Sequence, residues 1–475
     1  MMAGKWWTLV AVCIATFMLL LDITIVNVAL PAIERALGAS FSDLQWVVDA
    51  YALALATFVL TAGALADLFG RKRLFLLGIV LFTIASAACG AAWDPLFLIV
   101  ARGIQGVGGA MMFATALALL SQEFHGKERG TAFGLWGAVI GAAVAVGPLA
   151  GGMLTSWLSW RWIFFVNIPI GVVAVLVGMR QLRESSDPQH SRLDPVGLVT
   201  LTGGLLCLIL ALIEGNGHGW SSAFILALLA AAGVLLAAFV ASQALEETSM
   251  VDLTLFRRPA FVGAQLSAFA ISSSMFAMFL YLTLYLQNIL GLSPLQTGLR
   301  FLPLSLVSFF AAPAAGRLTA HVPIRALLAA GLALNALAMW LMSRVSTGSH
   351  WTVLLPGFLV GGVGIGFVNA PLATTAVSTV RVERAGMASG INNTFRQIGI
   401  ATGIAALGAI FASKVGPQAS GGRGAAARAA FVHGLHDILL VGAGVALVGA
   451  ILAGLLVRRR DFVASGPQAA AAEAA

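Results

Sequence analysis

Apolar residues run through the chain in fourteen long stretches, at residues 7–30, 44–66, 74–92, 96–120, 131–155, 162–180, 196–213, 221–241, 260–286, 297–316, 324–343, 352–376, 386–411 and 435–457. Short polar joints separate them. A helix needs about 20 predominantly apolar residues to cross the hydrocarbon of a bilayer, and each stretch is about that long. Barrel strands would be about ten residues of alternating pattern, which none of these shows. The pattern predicts an all-α polytopic membrane protein with fourteen transmembrane helices.

Composition agrees: the 475 residues are 60% hydrophobic and 10% charged, with a mean hydropathy of +0.96, which excludes a soluble globular domain. The first helix carries an acid and no small-residue cleavage site, so it is expected to be retained rather than removed as a signal peptide. Cys13, Cys89 and Cys207 all fall within predicted helices and are expected to pack, not to bridge or bind metal.

The net charge of +8 could suggest a nucleic-acid partner, but its distribution points elsewhere. With fourteen spans and a cytoplasmic start, eighteen of the twenty-seven lysines and arginines fall on the cytoplasmic side. Among them are Lys5, the Arg71–Lys72–Arg73 joint, Arg257, Arg258 and Arg458–Arg460. This is the positive-inside bias, and it predicts both termini in the cytoplasm. No nucleic-acid partner is expected.

The two longest joints on that side, "QLRESSDPQHSRLDP" and "SQALEETSMVDLTLFRRP", read as linkers around a helix pair with few polar groups. The predicted organisation is therefore a six-helix half (1–180), an inserted pair with its linkers (181–258), a second six-helix half (259–460) and a tail (461–475). Ala62–Gly78 lies over Ala315–Gly331 without a gap, matching Gly63 with Gly316, Lys72 with Arg325 and Gly78 with Gly331. Such a duplication is common in transporters, whose substrate sites lie between the repeats near the midplane.

Candidate chemistry begins with "LLLDITIVNVALP" (Leu19–Pro31), where Asp22 sits well inside the first helix. A carboxylate there costs about 2.5–3.5 kcal/mol on insertion scales. Asp49 is a second acid inside a helix, and Arg102 is a cation inside the fourth. At about 1.5 Å per residue the three lie roughly 12, 9 and 10 Å from the outer ends of their helices, which predicts one shared polar site. One cation cannot neutralise both acids, so one carboxylate stays available for proton exchange, as a proton-coupled transporter requires. Beyond residue 260 the acids are Glu383, Asp437, Asp461 and Glu473, all near membrane ends or in the tail, so coupling is expected in the first half.

"GLWGAVIGAAVAVGPLAGGML" (Gly134–Leu154) spaces small residues by four, which allows close helix packing. Its Gly147, Pro148, Gly151 and Gly152 are read as a conformational pivot. Arg396 with Asn392, Asn393 and Gln397 in helix 13, and Tyr281 and Tyr285 near the end of helix 9, are candidate substrate contacts beside neighbour-packing roles. Glu214 borders an outer loop and is expected to be solvated. The helix pair 196–241 reads as a packed or lipid-facing insert outside the pathway.

Six motifs in order resemble the major facilitator superfamily, in its fourteen-helix drug/proton antiporter branch. They are "LDITIVNVALP" (Leu21–Pro31), "GALADLFGRKR" (Gly63–Arg73), "RGIQGVGGA" (Arg102–Ala110), "GPLAGG" (Gly147–Gly152), "WRWIFFVNIPIG" (Trp160–Gly171) and "SPLQTGLRFLP" (Ser293–Pro303). The resemblance implies a gating role for Gly63, Asp67, Gly70, Arg71 and Lys72, with Asp67 and Arg71 as a charge lock of the outward-open state. Leu68 stands where the family usually has a basic residue, and Ala320 takes the place of Asp67 in the second half. The resemblance also makes Asp22 and Arg102 a polar pair of helices 1 and 4, and Asp49 an acid for protons or cations. Asn27, within the helix-1 signature, joins Asp49 as a candidate substrate contact.

The expected function is proton-driven export of amphipathic, cationic compounds across the bacterial cytoplasmic membrane, by a monomer that needs no cofactor or metal. The lipid bilayer, protons and a small-molecule substrate are its partners. No GxxxxGKS/T loop supports ATP drive, and no nucleophile–base pair or metal-ligand set marks an enzyme. The alternatives are a dedicated exporter of one endogenous metabolite and, more distantly, a non-transporting scaffold or lipid-handling protein.

Overall fold

The computed structural model describes residues 2–186, 194–245, 251–380, 384–415 and 425–458, and no strand occurs among them. The first half contains α1 (Met2–Leu37), α2 (Phe41–Phe69), α3 (Arg71–Gly90), α4 (Pro95–Glu123) and α5 (Gly126–Trp157). Its sixth span, α6 (Trp162–Gln181), starts as a separate turn at Trp162–Phe165. The inserted pair is α7 (Pro195–His218) and α8 (Ala223–Leu245). The remainder is α9 (Pro259–Leu284), α10 (Pro294–Leu318), α11 (Ile324–Met342), α12 (Leu355–Ser378), α13 (Ala385–Val415) and α14 (Ala425–Leu456).

Among the described residues thirteen helices are long and apolar enough to cross a membrane. α5, with 32 residues, coincides with the predicted fifth stretch and makes a fourteenth. The protein is a multi-pass helical membrane protein.

Local chemistry sets where helices begin. Ser40 and Asp43 cap α2 reciprocally, and Ser293 and Gln296 do the same for α10, where Pro294 occupies the first position. Asp94 before Pro95 and Asp194 before Pro195 cap α4 and α7 one way only, each accepting an amide of the first turn, from Phe97 and Gly197. Between α2 and α3 the chain turns on Gly70, whose φ of 109° is open only to glycine at low cost. Glu184, after α6, accepts from the Lys72 and Arg73 amides at 3.1 and 3.2 Å and so supplies the cap that α3 lacks locally.

Call the end of the bundle that carries Arg71–Arg73 the basic end. There the helices cross almost backbone to backbone. A Cβ on Gly63 of α2 would stand 2.6 Å from the Gly386 carbonyl oxygen of α13, and one on Gly130 of α5 would collide with the Gly316 carbonyl of α10. The two glycines aligned by the internal repeat, Gly63 and Gly316, thus occupy corresponding crossings. Gly78 and Gly331 do so again, packing on Gly108 of α4 and Gly364 of α12.

Along α5 and α10 the spacing then widens. An added Cβ would meet Ala312 O at 2.8 Å from Gly134, Ala312 Cβ at 3.5 Å from Gly137, Ser308 Oγ at 3.4 Å from Gly141 and Leu295 only at 3.9 Å from Gly152. The α5–α10 crossing is tightest at the basic end and relaxes to ordinary contact towards the other. Gly130→Val should force α5 and α10 apart at the closed end. A Ser378→Cys thiol beside this crossing is then expected to react several-fold faster with an impermeant maleimide added from the basic side; an unchanged rate would mean the crossing does not hold the end shut.

Candidate functional site

Asp22 of α1 and Arg102 of α4 meet in an ion pair, Arg102 Nη1 donating to Asp22 Oδ2. Both are sealed from solvent, at 0% and 1% exposure. Further donors satisfy the carboxylate: Gln105 Nε2 at 2.9 Å and Asn167 Nδ2 of α6 at 3.0 Å, both to Oδ1. Arg102 also donates to Gln105 Oε1 at 2.7 Å and from Nε to the Val47 carbonyl of α2 at 3.0 Å, and its guanidinium lies 4.3 Å from the centre of the Tyr51 ring. Ser86 of α3 links Asn167 to the Phe164 carbonyl. Five helices are tied by one knot in which both oxygens of the Asp22 carboxylate are bonded, the form in which a buried pair is tolerated.

Asp49 is not part of it. Val47 and Tyr51, two residues either side on α2, face Arg102, so Asp49 points to the opposite side of the helix. Trp46 and Leu53, which share its face, pack in an apolar cluster with Ile209 and Ile213 of α7 and Ile398 of α13. Among the described residues Asp49 has no hydrogen bond or ion pair, and the charge acting on it through space is Glu214 of α7. The expected single site of three residues therefore divides in two, because equal depth says nothing about which way a helix turns a side chain.

Glu214 itself is not a solvated loop acid. Its side chain is 18% exposed and pairs at 2.9 Å with the exposed His218 one turn on. The inserted helices are likewise more than a lipid-facing annex. The Thr61 and Thr202 hydroxyls meet at 2.9 Å between α2 and α7, and Asn216 donates to the Ala405 carbonyl of α13.

At the basic end Asp67 holds two elements at once. Arg71 binds its Oδ1 from Nε and Nη2 at 2.9 and 2.8 Å. The Gly386 and Met387 amides, in the first turn of α13, donate to the same carboxylate at 3.1 and 2.7 Å. A carboxylate suits a helix N-terminus, where amides lack partners and the dipole is positive. Arg129 of α5 adds a second tie across the bundle, to Ser378 of α12 at 3.2 Å. Lys72 reaches the Met179 carbonyl instead.

The other sequence candidates scatter. Gly147 and Gly151 of α5 pack directly on Thr24 and Ile25 of α1, whereas Gly152 faces Leu295 of α10; the side chains of Pro148 and Asn27 lie outside the described ones. Tyr285 is fully buried and donates to the Ser346 carbonyl at 3.0 Å, and Tyr281 stacks on Phe411. Both stand in the apolar cluster of the second half. Asn392, buried, donates to Gln265 of α9 at 3.1 Å. Arg396 is partly exposed and donates to Asn369 Oδ1 of α12 at 3.3 Å.

Comparison with known proteins fits this architecture. The profile of the Major Facilitator Superfamily matches residues 12–404. The chain belongs to that superfamily. It is a transporter of this superfamily and not an enzyme. Among similar superfamily proteins, the multidrug resistance protein Stp of Mycobacterium tuberculosis (strain CDC 1551 / Oshkosh) is 38% identical over 407 residues, covering 86% of this chain and 76% of that protein. The puromycin resistance protein pur8 of Streptomyces alboniger is 36% identical, covering 97% and 93%. The tetracenomycin C resistance and export protein of Streptomyces glaucescens is 35% identical, covering 86% and 77%. The human organic anion transporter MFSD10 (TETRAN) shares the superfamily fold, with a TM-score of 0.65 over 94% of this chain and 99% of its own at 16% identity.

Sequence reading missed Gln105, Asn167, Ser86 and Tyr51. Gln105 and Asn167 stand inside quoted superfamily motifs, so a signal existed; Ser86 and Tyr51 carry none. Breaking the knot should be costly: Asp22→Asn leaves Arg102 buried without a counter-charge and is expected to destabilise by about 3–5 kcal/mol. Asp22→Asn with Arg102→Gln should recover part of that loss. Apparent melting temperatures of the purified variants check it, and a double variant no better than the single would break the pairing argument.

Proposed function

We propose that this chain is a proton-driven exporter of amphipathic drugs or antibiotics across the bacterial cytoplasmic membrane, working as a monomer by alternating access between two six-helix halves, residues 1–180 and 259–460. The basic end is the cytoplasmic one, with both termini on that side, and residues 181–258 are an insert between the halves. The relatives named for multidrug, puromycin and tetracenomycin C resistance support the drug-export part of this reading, and the corresponding crossings at Gly63 and Gly316 support the duplication.

The observation that carries proton coupling is Asp49, an intramembrane carboxylate with no polar partner among the described residues. Asp22, whose charge Arg102 answers, serves as the structural member of the pair. Asp49 takes a proton from the outer side, reached past Glu214 and His218, and releases it inside after the halves rock. Each proton entering down 100 mV supplies about 2.3 kcal/mol. Asp67 and Arg71 lock the cytoplasmic end through α13, and Gly147 and Gly151 let α1 and α5 slide as the lock opens. Because Asp49 faces the α7 seam, its expected contact with a cationic substrate gives way here to the proton role.

Everted membrane vesicles with a pH-sensitive dye test this directly. Puromycin, ethidium or rhodamine B added to an established gradient should dissipate it in the wild type. Asp49→Asn at equal expression is expected to lower that flux at least about tenfold, the scale of losing an intramembrane proton carrier. Wild-type flux in Asp49→Asn would remove the residue from coupling; no flux with any compound in the wild type would remove the multidrug reading. The tetracenomycin C export relative favours a narrower second reading, export of one metabolite, for which a single compound of a broad panel would respond.

A further inference from the structure

We propose that Arg396 is the anion-binding group of the substrate site, and that among the compounds carried it favours those bearing an acidic group, a carboxylate or phenolate, on an amphipathic body. This deepens the export reading and rests on it.

Arg396 lies inside the span Ala385–Lys414 of α13, and its guanidinium donates at 3.3 Å to a neutral amide oxygen, Asn369 Oδ1. No charged side chain among the described residues acts on it through space. The acids that could answer it are engaged elsewhere: Asp22 by Arg102, Asp67 by Arg71 and two amides, Asp437 by Lys414 at 3.4 Å. Asp49 belongs to the α2–α7 seam with Glu214. The other acids beyond residue 260, Glu383, Asp461 and Glu473, stand in a joint and the tail. A guanidinium cannot shed its charge as a lysine can, and at membrane depth a charge faces a partner or a water-filled space.

Its position suits a binding site. One turn nearer the basic end, Asn393 donates to the Phe113 carbonyl of α4 at 3.1 Å, which joins the two halves. Asn369, on the other side, backs onto Gly137 of α5, where α5 and α10 have begun to separate. Arg396 therefore stands about 15 Å beyond Gly386 along α13, away from the closed contact. From there its planar fork can take both oxygens of a carboxylate. A ligand reaching that depth must bring apolar surface as well as the acid.

Rhodamine B, which has a free carboxylate, and its ethyl ester, which has none, isolate that one group. Binding to the purified full-length protein, read by fluorescence anisotropy, is expected to favour the free acid by about tenfold in the wild type, the value of one charge-assisted hydrogen bond pair. Arg396→Gln should abolish the preference, bringing the acid-to-ester ratio to about one, and Arg396→Lys should keep part of it. Asn369→Asp offers a second route: it supplies a carboxylate from the protein itself and should remove the preference with Arg396 intact. An acid-to-ester ratio that is the same in the wild type and Arg396→Gln, or no binding of the free acid, overturns the proposal. Binding needs no proton gradient, so loss of vesicle flux with an intact acid preference would count against proton-coupled export and leave the anion site standing.

Discussion

Charge in hydrocarbon has to be answered by another group, and the Asp22–Arg102 pair is where this constraint shapes most of the first half. Its partners come from α1, α2, α3, α4 and α6, and each satisfies a donor or acceptor that would otherwise be stranded away from water. Removing one member leaves the rest mispaired, so the knot fixes register among five helices. It also withdraws Asp22 and Arg102 from solvent, which leaves Asp49 and Arg396 as intramembrane charges to which the described residues supply no counter-charge.

The same economy of contacts governs the closed end. Glycines let α2 approach α13 and α5 approach α10 until only backbone separates them, and such contacts hold by close packing and polar links, since lipid gives helices no hydrophobic drive to associate. Asp67 adds the polar link by serving both Arg71 and the amides that open α13. The second half has Ala320 at the aligned place, so that part of the closure is one-sided. Further along α5 the glycines turn their close contacts to α1, at Thr24 and Ile25, while the spacing to α10 relaxes.

The inserted pair divides between the two positions its composition left open, packed and lipid-facing. α8 faces outward along most of its length, but α7 lies against α2 and α13 and brings Glu214 beside Asp49. A helix pair can be apolar in sequence and still bring polar residues, here Thr202, Glu214 and Asn216, to a seam.

Much of the architecture is legible in the sequence alone. The span count, the polar joints, the motif order and the superfamily followed from hydropathy, charge bias and short motifs, because the bilayer imposes length and polarity on every crossing segment. The residues of the knot were half visible: Asp22 and Arg102 are conspicuous as charges, whereas Ser86 and Tyr51 look like any helix residue. Depth, too, could be counted along the chain, and it placed Asp22, Asp49 and Arg102 at one level. Direction could not. Which face of α2 meets α4 and which meets α7 depends on how neighbouring helices pack, and that decided the separation of Asp49 from Arg102, the burial of Glu214 and the position of Arg396 above the closed contact.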